Sequence, residues 1–261
     1  MNQILEHISE LESMKKYPRE LFYIGDTSLL KKKKVSIIGS RKPNQYAREL
    51  THKISSFLSK AGVCIVSGGA MGVDIIAHKS AGTSNTIMVA GTGLDKRYPA
   101  VNKNTIQEIE KDGLVLSQFK AGTPSQRYNF PIRNELVVAL GDVLIVTYAD
   151  KNSGTMRSVD YALKMGKEIY VLPHRIGEST ATNELLKTDK AKAIYDVDEF
   201  VNSMFGVDIS KKETVVDDFL EFCKSNPTYD EALSKFPNRV FEAELSGEIE
   251  VSNGKVFIRL T

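Results

Sequence analysis

Several turns in this sequence combine glycine, small hydroxyls and cations in the way an anion site requires. Gly39-Ser40-Arg41-Lys42-Pro43 follows an apolar run and places an always-charged guanidinium and a lysine where the chain turns. Ser67-Gly68-Gly69-Ala70-Met71-Gly72-Val73-Asp74 follows another, and its free amides and the helix start behind it favour a phosphate. Gly91-Thr92-Gly93 and Ser153-Gly154-Thr155 repeat the theme. Glycine serves a tight turn as readily as a ligand, so the turns alone leave both readings open. The company of Arg41, Lys42, Arg127, Arg133 and Arg157 shifts the balance toward a phosphate-bearing ligand.

The segment Gln126-Arg127-Tyr128-Asn129-Phe130-Pro131-Ile132-Arg133-Asn134-Glu135 adds a second chemistry. Two arginines and two aromatics so close together offer cations for phosphates and a π-face for unpaired bases. The competing reading makes Phe130 core and Pro131 the opening of a helix, since aromatic residues are usually buried.

Other chemistries find little support. No G-x-x-x-x-G-K-[ST] loop occurs, and neither Gly39 nor the Gly68 turn completes G-x-G-x-x-G, which disfavours a nucleoside triphosphatase or an ordinary NAD enzyme. Asp74 and His78 stand four apart, too few for a metal, and read as helix-stabilising or turn-stabilising residues. Ser67 lacks the G-x-S-x-G setting of a hydrolase nucleophile, and Cys64 lies in a strand, where a thiolate would be desolvated. No catalytic residue, metal or cofactor is expected.

The elements that must position these turns are legible in the hydrophobic pattern. Six β-branched runs recur: Val35–Gly39, Val63–Gly68, Thr86–Gly91, Leu114–Phe119, Asp142–Ala149 and Glu168–Pro173. Each is too short for a helix and reads as a buried strand. Stretches of helical spacing lie between them, and such alternation requires crossovers that build a parallel sheet covered on both faces. The spacing therefore predicts an α/β fold: an extended, Rossmann-like, doubly wound, mostly parallel sheet. In such sheets ligands bind beyond the carboxyl ends of the strands, where the turns above lie. Ahead of the sheet, Ile4, Leu5, Ile8 and Leu11 form an amphipathic stripe, Leu21–Ile24 offers an edge strand, and Lys31 to Lys34 read as a solvated turn, with part of a polyanion patch as the alternative.

The chain has 261 residues, 41% of them apolar and 26% charged, with a net charge of +2. It contains no apolar stretch near the roughly 20 residues that span a bilayer, and its first residues do not resemble a secretory signal, so a cytoplasmic location without membrane contact is expected. Cys64 and Cys223, both beside apolar neighbours, should be buried and inert. From Glu213 onward there are 5 basic and 10 acidic residues, a net of −5, which leaves +7 for residues 1–212. A polyanion should therefore meet the long N-terminal part. Residues 1–209 read as the sheet domain and Ser210 to Glu213 as a linker. Residues 213–261 read as a small module of three helices, around Val215 to Phe222, Tyr229 to Phe236 and Pro237 to Gly247, and an Asn253-Gly254 hairpin that runs on to Leu260, in winged-helix order.

Over about Leu21 to Val201 the chain resembles the DprA (Smf) family of DNA-processing proteins. The resemblance rests on Gly39-Ser40-Arg41, on Ser67 to Asp74 with Ala77-His78, on Gly91 to Asp95 followed by Tyr98-Pro99, on Phe130-Pro131-Ile132-Arg133-Asn134, and on Ser153-Gly154-Thr155. It implies a homodimeric, non-catalytic protein of natural transformation that binds single-stranded DNA and loads the RecA recombinase. The matching DNA-binding residues would be Gly39, Ser40, Arg41, Lys42, Ser67, Gly68, Gly69, Arg127, Phe130, Arg133, Asn134, Gly154 and Thr155, with Arg41, Arg127 and Phe130 foremost. Departures from the family pattern fall at Gln118, Glu135, Ser158-Val159 and His174. The rival from another class is a nucleotide-hydrolysing phosphoribohydrolase of the lysine-decarboxylase-like type. Its Pro-Gly-Gly-x-Gly-Thr-x-x-Glu motif ends in a carboxylate that is missing from this chain's Lys151 to Val159.

Overall fold

The computed structural model describes residues 2–206, 218–246 and 248–259, and all six apolar runs are strands in it. In chain order the elements are β1 (Asn2–Gln3), β2 (Phe22–Gly25), β3 (Lys34–Ile38), α1 (Gln45–Lys60), β4 (Cys64–Ser67), α2 (Val73–Ala81), β5 (Thr86–Val89), α3 (Lys103–Asp112), β6 (Leu114–Ser117), α4 (Asn129–Leu140), β7 (Val143–Val146), α5 (Thr155–Lys164), β8 (Ile169–Val171), α6 (Thr180–Lys187), β9 (Lys192–Ala193) and α7 (Val197–Phe205). The nine strands form one sheet in the order β1-β2-β6-β5-β4-β3-β7-β8-β9. From β6 to β9 all neighbours are parallel, while β2 runs antiparallel to β6 and to β1. The strand order reverses at β3, which pairs with β4 on one side and β7 on the other.

The sheet is covered on both faces, because side chains alternate along each strand. Cys64 and Val66 of β4 join the core that includes Leu136 and Val138 of α4. Val63 and Ile65 join the opposite core with Ile54 and Leu58 of α1. α1 begins at Asn44, whose side chain accepts the Ala47 amide. α7 begins likewise at Asp196, which accepts from Glu199.

Two expectations need correction. The stripe of Ile4, Leu5, Ile8 and Leu11 is not one buried face: Asn2 and Gln3 pair with β2, a short 3-10 turn spans Ser9–Ser13, and Leu5 is 88% exposed while Ile8 and Leu11 are buried. Pairing with an edge strand overrides the local spacing, and the apolar residues dock singly. Within the lysine run, Lys31 to Lys33 are exposed but Lys34 is 3% exposed, its ammonium held by Glu10 and two backbone carbonyls.

The chain divides into compact units of residues 1–209 and 210–261. In the second, α8 (Asp218–Cys223), α9 (Tyr229–Lys235) and α10 (Pro237–Ser246) precede a hairpin of β10 (Ile249–Ser252) and β11 (Lys255–Ile258). Phe219, Cys223, Val240, Ile249 and Val256 form its core. Thr228 and Glu231 make a reciprocal capping box at α9. The expected linker at Ser210 to Glu213, and Val215, Gly247 and Leu260, lie outside the described residues. Both cysteines are buried, and burial pushes the Cys64 thiol up to about 12. Among the described residues no helix is long and apolar enough to cross a membrane.

Candidate functional site

The carboxyl ends of β3 and β7, on either side of the strand reversal, open into a cleft of about 780 Å³. Three backbone crossings hold its rim. The Ser40 amide donates to the Tyr148 carbonyl at 2.8 Å, and the Val73 amide donates to the Ser40 carbonyl at 3.1 Å. Gly72, at φ +80°, passes so close that a Cβ there would lie 2.3 Å from the Ser40 carbonyl oxygen. Only glycine fits that crossing. The loop after β3, the start of α2 and the loop after β7 are thereby fixed to one another.

Around the cleft lie five cations, Arg41, Lys42, Arg127, Arg133 and Arg157, against two carboxylates, Asp74 and Asp150. Among the described residues Arg41, Lys42, Arg127 and Arg157 have no ion-pair partner, and all four are exposed. Such a surplus of unpaired positive charge in a concave site attracts an anion and loses strength with salt. The Arg41 guanidinium lies 5.8 Å from the centre of the Phe130 ring, and that of Arg133 5.9 Å. Phe130 is half-buried; Tyr98 leans against it at 5.9 Å, tilted by 38°. Cations and ring faces thus meet in one place.

Arg133 differs from the other four. It is 5% exposed, and its Nη1 stands 3.7 Å from Asp74 Oδ2. A Cβ on Gly68 would fall 1.1 Å from that same Nη1, so this glycine makes room for the guanidinium. Burial pushes the Asp74 carboxyl up against the opposing pull of Arg133 and the Ala70 amide. Burial and the nearby Arg41 push Arg133 down, against the pull of Asp74. One turn further along α2, His78 Nδ1 lies 2.6 Å from Thr86 Oγ1 of β5, which donates to the Ile65 carbonyl and so accepts from the imidazole. Its Nε2 is buried and has no partner among the described residues, a setting that disfavours the charged imidazolium. Burial, and secondarily Arg133, pull His78 down to about 3. Asp74 and His78 are both buried and bonded within the fold, and among the described residues no group of three or more His, Cys, Asp or Glu is placed to hold a metal.

The expected site residues are gathered unequally. Gly39, Ser40, Arg41, Lys42, Arg127, Phe130, Arg133, Asn134, Gly154 and Thr155 line the cleft, and Gly68 lines a smaller pocket beside it. Ser67 does not face the cleft: it is fully buried and donates to the Ile37 carbonyl at 2.6 Å, tying β4 to β3. Gly69 lines neither cavity and turns the chain at φ +71°. Asp150 and Asn152 were not expected as site residues; Tyr98 belongs to the Tyr98-Pro99 motif of the resemblance but was not expected in the site. Asn129 is a further joint, donating from its amide to the carbonyls of Gly91 and Pro124 and so fastening the start of α4 to the end of β5.

Fold and cleft define an α/β protein of the Rossmann-like class with an anion-receptive strand reversal. The family model for DNA recombination-mediator protein A matches residues 5–205, and the chain belongs to that family. It is similar to the Smf protein of Synechocystis, 39% identical over 54% of this chain and 36% of that one. It is also similar to the DNA processing protein DprA of Streptococcus pneumoniae, 37% identical over 61% of this chain and 57% of that one. The matched part thus spans between a third and three fifths of these two relatives. Among solved structures, DNA processing protein A of Helicobacter pylori, whose structure gave insight into its single-stranded DNA binding mode, is 40% identical. It superposes with a TM-score of 0.77 over 78% of this chain and 95% of that one.

Proposed function

We propose that the cleft binds single-stranded DNA without catalysis, its unpaired cations taking phosphates and its aromatic rings taking unstacked bases. The observation that carries this reading is the gathering in one cleft of Arg41, Lys42, Arg127 and Arg157, none paired with a carboxylate among the described residues, with the half-buried Phe130, whose ring centre lies 5.8 Å from the Arg41 guanidinium. Duplex DNA hides its base faces in the stack, so a ring can help bind only a single strand. The described single-stranded DNA binding of the Helicobacter pylori relative supports the assignment. Of the two carboxylates, Asp74 is sequestered against Arg133, and Asp150 accepts the Thr180 amide at 3.3 Å. In this reading the protein acts in natural transformation as a homodimer that protects incoming DNA and passes it to the RecA recombinase. The acidic 213–261 module, winged-helix-like in its order, meets protein rather than DNA.

The test is a titration of single-stranded against duplex DNA of equal length at two or more salt concentrations. Preference for the single strand is expected, with log affinity falling by about 0.7 per phosphate neutralised, hence a slope near 3 if four phosphates are engaged. Equal affinity for duplex, or binding indifferent to salt, overturns the reading.

A further inference from the structure

Between two buried anchors of the N-terminal segment, Met14 and Leu21, the chain makes a loop whose cations Lys15, Lys16 and Arg19 are all exposed. Among the described residues none of them has an ion-pair partner, and Glu20 at the end of the loop is taken by Lys120 at 3.1 Å. The loop is nevertheless fixed. The 3-10 turn ahead of it packs on α4, the Lys15 amide donates to Glu135 Oε1 at 2.8 Å, and the Tyr17 hydroxyl accepts the Ile8 amide at 3.0 Å. The Tyr17 ring also stacks on His7 at 5.1 Å. A backbone held in this way presents lysine side chains that no carboxylate among the described residues neutralises.

The place of attachment gives these lysines a use. α4 and α5 pack against each other and both begin at the cleft, which Pro131 and Arg157 line. Residues four apart share a helix face, so Glu135 follows Pro131 and Tyr161 follows Arg157, each one turn or about 6 Å further from the rim. Tyr161 feels both neighbours: burial, and next the charge of Glu135, push its phenol up against the pull of Arg157. A stacked strand rises about 3.4 Å per nucleotide and an unstacked one more, so about two or three further nucleotides lead from Arg157 to the loop. We propose that Lys15 and Lys16 take phosphates of a single strand as it leaves the cleft past Arg157, lengthening the site along the seam of α4 and α5. Glu135 is the positioning residue that fixes their loop. The exposed Asp160 next to Tyr161 opposes the attraction in part. Phosphate contacts carry no sequence information, so the seam adds affinity and salt dependence without choosing a base.

The inference rests on the cleft being a single-strand site, and the experiment separates the two. The full chain, a Lys15→Ala/Lys16→Ala double variant, Glu135→Ala, Glu135→Gln and Arg41→Ala are each checked for folding by circular dichroism. They are then titrated at several salt concentrations with oligothymidines from about 4 to about 16 nucleotides, the range of single-strand site sizes. The double variant should match the parent on the shortest strand, which the cleft alone holds. On the longest it should lose about 1.4 from the salt slope, or about 25-fold in affinity at 0.1 M salt. Both changes at Glu135 remove its charge, but the Gln side-chain carbonyl can still accept the Lys15 amide, so Glu135→Ala should bind the longest strand about fivefold more weakly than Glu135→Gln. A double variant equal to the parent at every length, or one that loses as much on the shortest strand as on the longest, overturns the seam. Equal affinities of Glu135→Ala and Glu135→Gln overturn the positioning role. If Arg41→Ala weakens binding at every length while the double variant changes nothing, the cleft stands and the seam falls. A parent that binds no single strand removes both.

Discussion

The arginines of the cleft and those of the C-terminal unit are the same group in opposite circumstances. Arg239 is paired with Glu248, and Arg259 with Glu250 at 3.1 Å, while Lys224 is held by Glu221 three residues away. In the cleft Arg41, Lys42, Arg127 and Arg157 face no carboxylate within ion-pair distance among the described residues. A cation already neutralised by its own chain offers a polyanion little, because binding must first break the existing pair. An unpaired one releases counterions as soon as a phosphate arrives. Net charge by segment, +7 against −5, points the same way, but it is the pairing that separates a binding surface from a merely charged one. Arg133 is a third case: buried and paired, it shapes the cleft from behind.

The largest effects should come from that buried case. Arg133→Ala strands Asp74 without its cation, and breaking a buried pair costs about 3 to 5 kcal/mol. A denaturant melt should register it as a lowered midpoint at unchanged slope. Gly68→Ala should reproduce much of this loss, since its Cβ must displace the same guanidinium. A Gly68→Ala protein as stable as the parent would mean that Arg133 relocates freely, and the distinction between buried and open arginines would fail.

Acidification probes the same buried file through His78. Its folded pKa, about 3, lies below the unfolded value near 6.5. The unfolded chain therefore takes up the proton first, and stability present above pH 6.5 is lost as pH falls toward 3, by about 1.4 kcal/mol per pH unit within that window. Asp74, whose folded pKa is raised, works in the opposite sense and gains with acid. Comparing the parent with His78→Gln isolates the histidine: the variant, though less stable at pH 7, should show a flatter decline between pH 6 and 4. Parallel curves would show that His78 accepts a proton in place.

Smaller changes are expected on the open side. Phe130→Ala should cost about 1 to 3 kcal/mol of single-strand affinity if the ring stacks a base; a fully core ring would instead lower the melting temperature and leave affinity alone. Arg41→Ala and Arg127→Ala should each remove about 0.7 from the salt slope, which at 0.1 M salt amounts to about fivefold in affinity. A loss that does not shrink as salt rises would assign either side chain to shape rather than charge.

How much of this was legible beforehand depends on where the information resides. Strands buried on both faces announce themselves as short β-branched runs, and the glycine turns after them mark the rim, so β3 to β8 and Arg41, Arg127 and Phe130 could be read directly. The depth of Arg133 could not. Nothing local distinguishes it from Arg127 six residues earlier; what buries it is the missing Cβ of Gly68 and the carboxylate of Asp74, both distant in sequence. Ser67 misled for the related reason that a small hydroxyl at a strand end suits an anion and a neighbouring carbonyl equally well, and here Ile37 claims it. The stripe at Ile4 to Leu11 had helical spacing over two turns only, too little to compete with pairing between Asn2 and Tyr23.

The smallest expected effect is also the sharpest test of the opening contrast. If pairing decides whether a cation serves DNA, the C-terminal unit should be dispensable for the strand although it contains Arg239, Arg259 and an exposed Lys224. Deleting residues 210–261 removes more acid than base, so single-strand affinity should stay unchanged or rise slightly, with the remaining unit checked by circular dichroism. The deletion has a companion in the full chain. Glu250→Ala removes the carboxylate beside Arg259 and makes that arginine resemble those of the cleft, yet it stands in a unit with no anion cradle of its own among the described residues, so any gain should stay within about twofold, less than 0.4 kcal/mol. A loss beyond about tenfold on deletion, or roughly 1.4 kcal/mol, would mean that the acidic unit supports the DNA site directly or through assembly, and that charge pairing is the wrong criterion for choosing between the two surfaces.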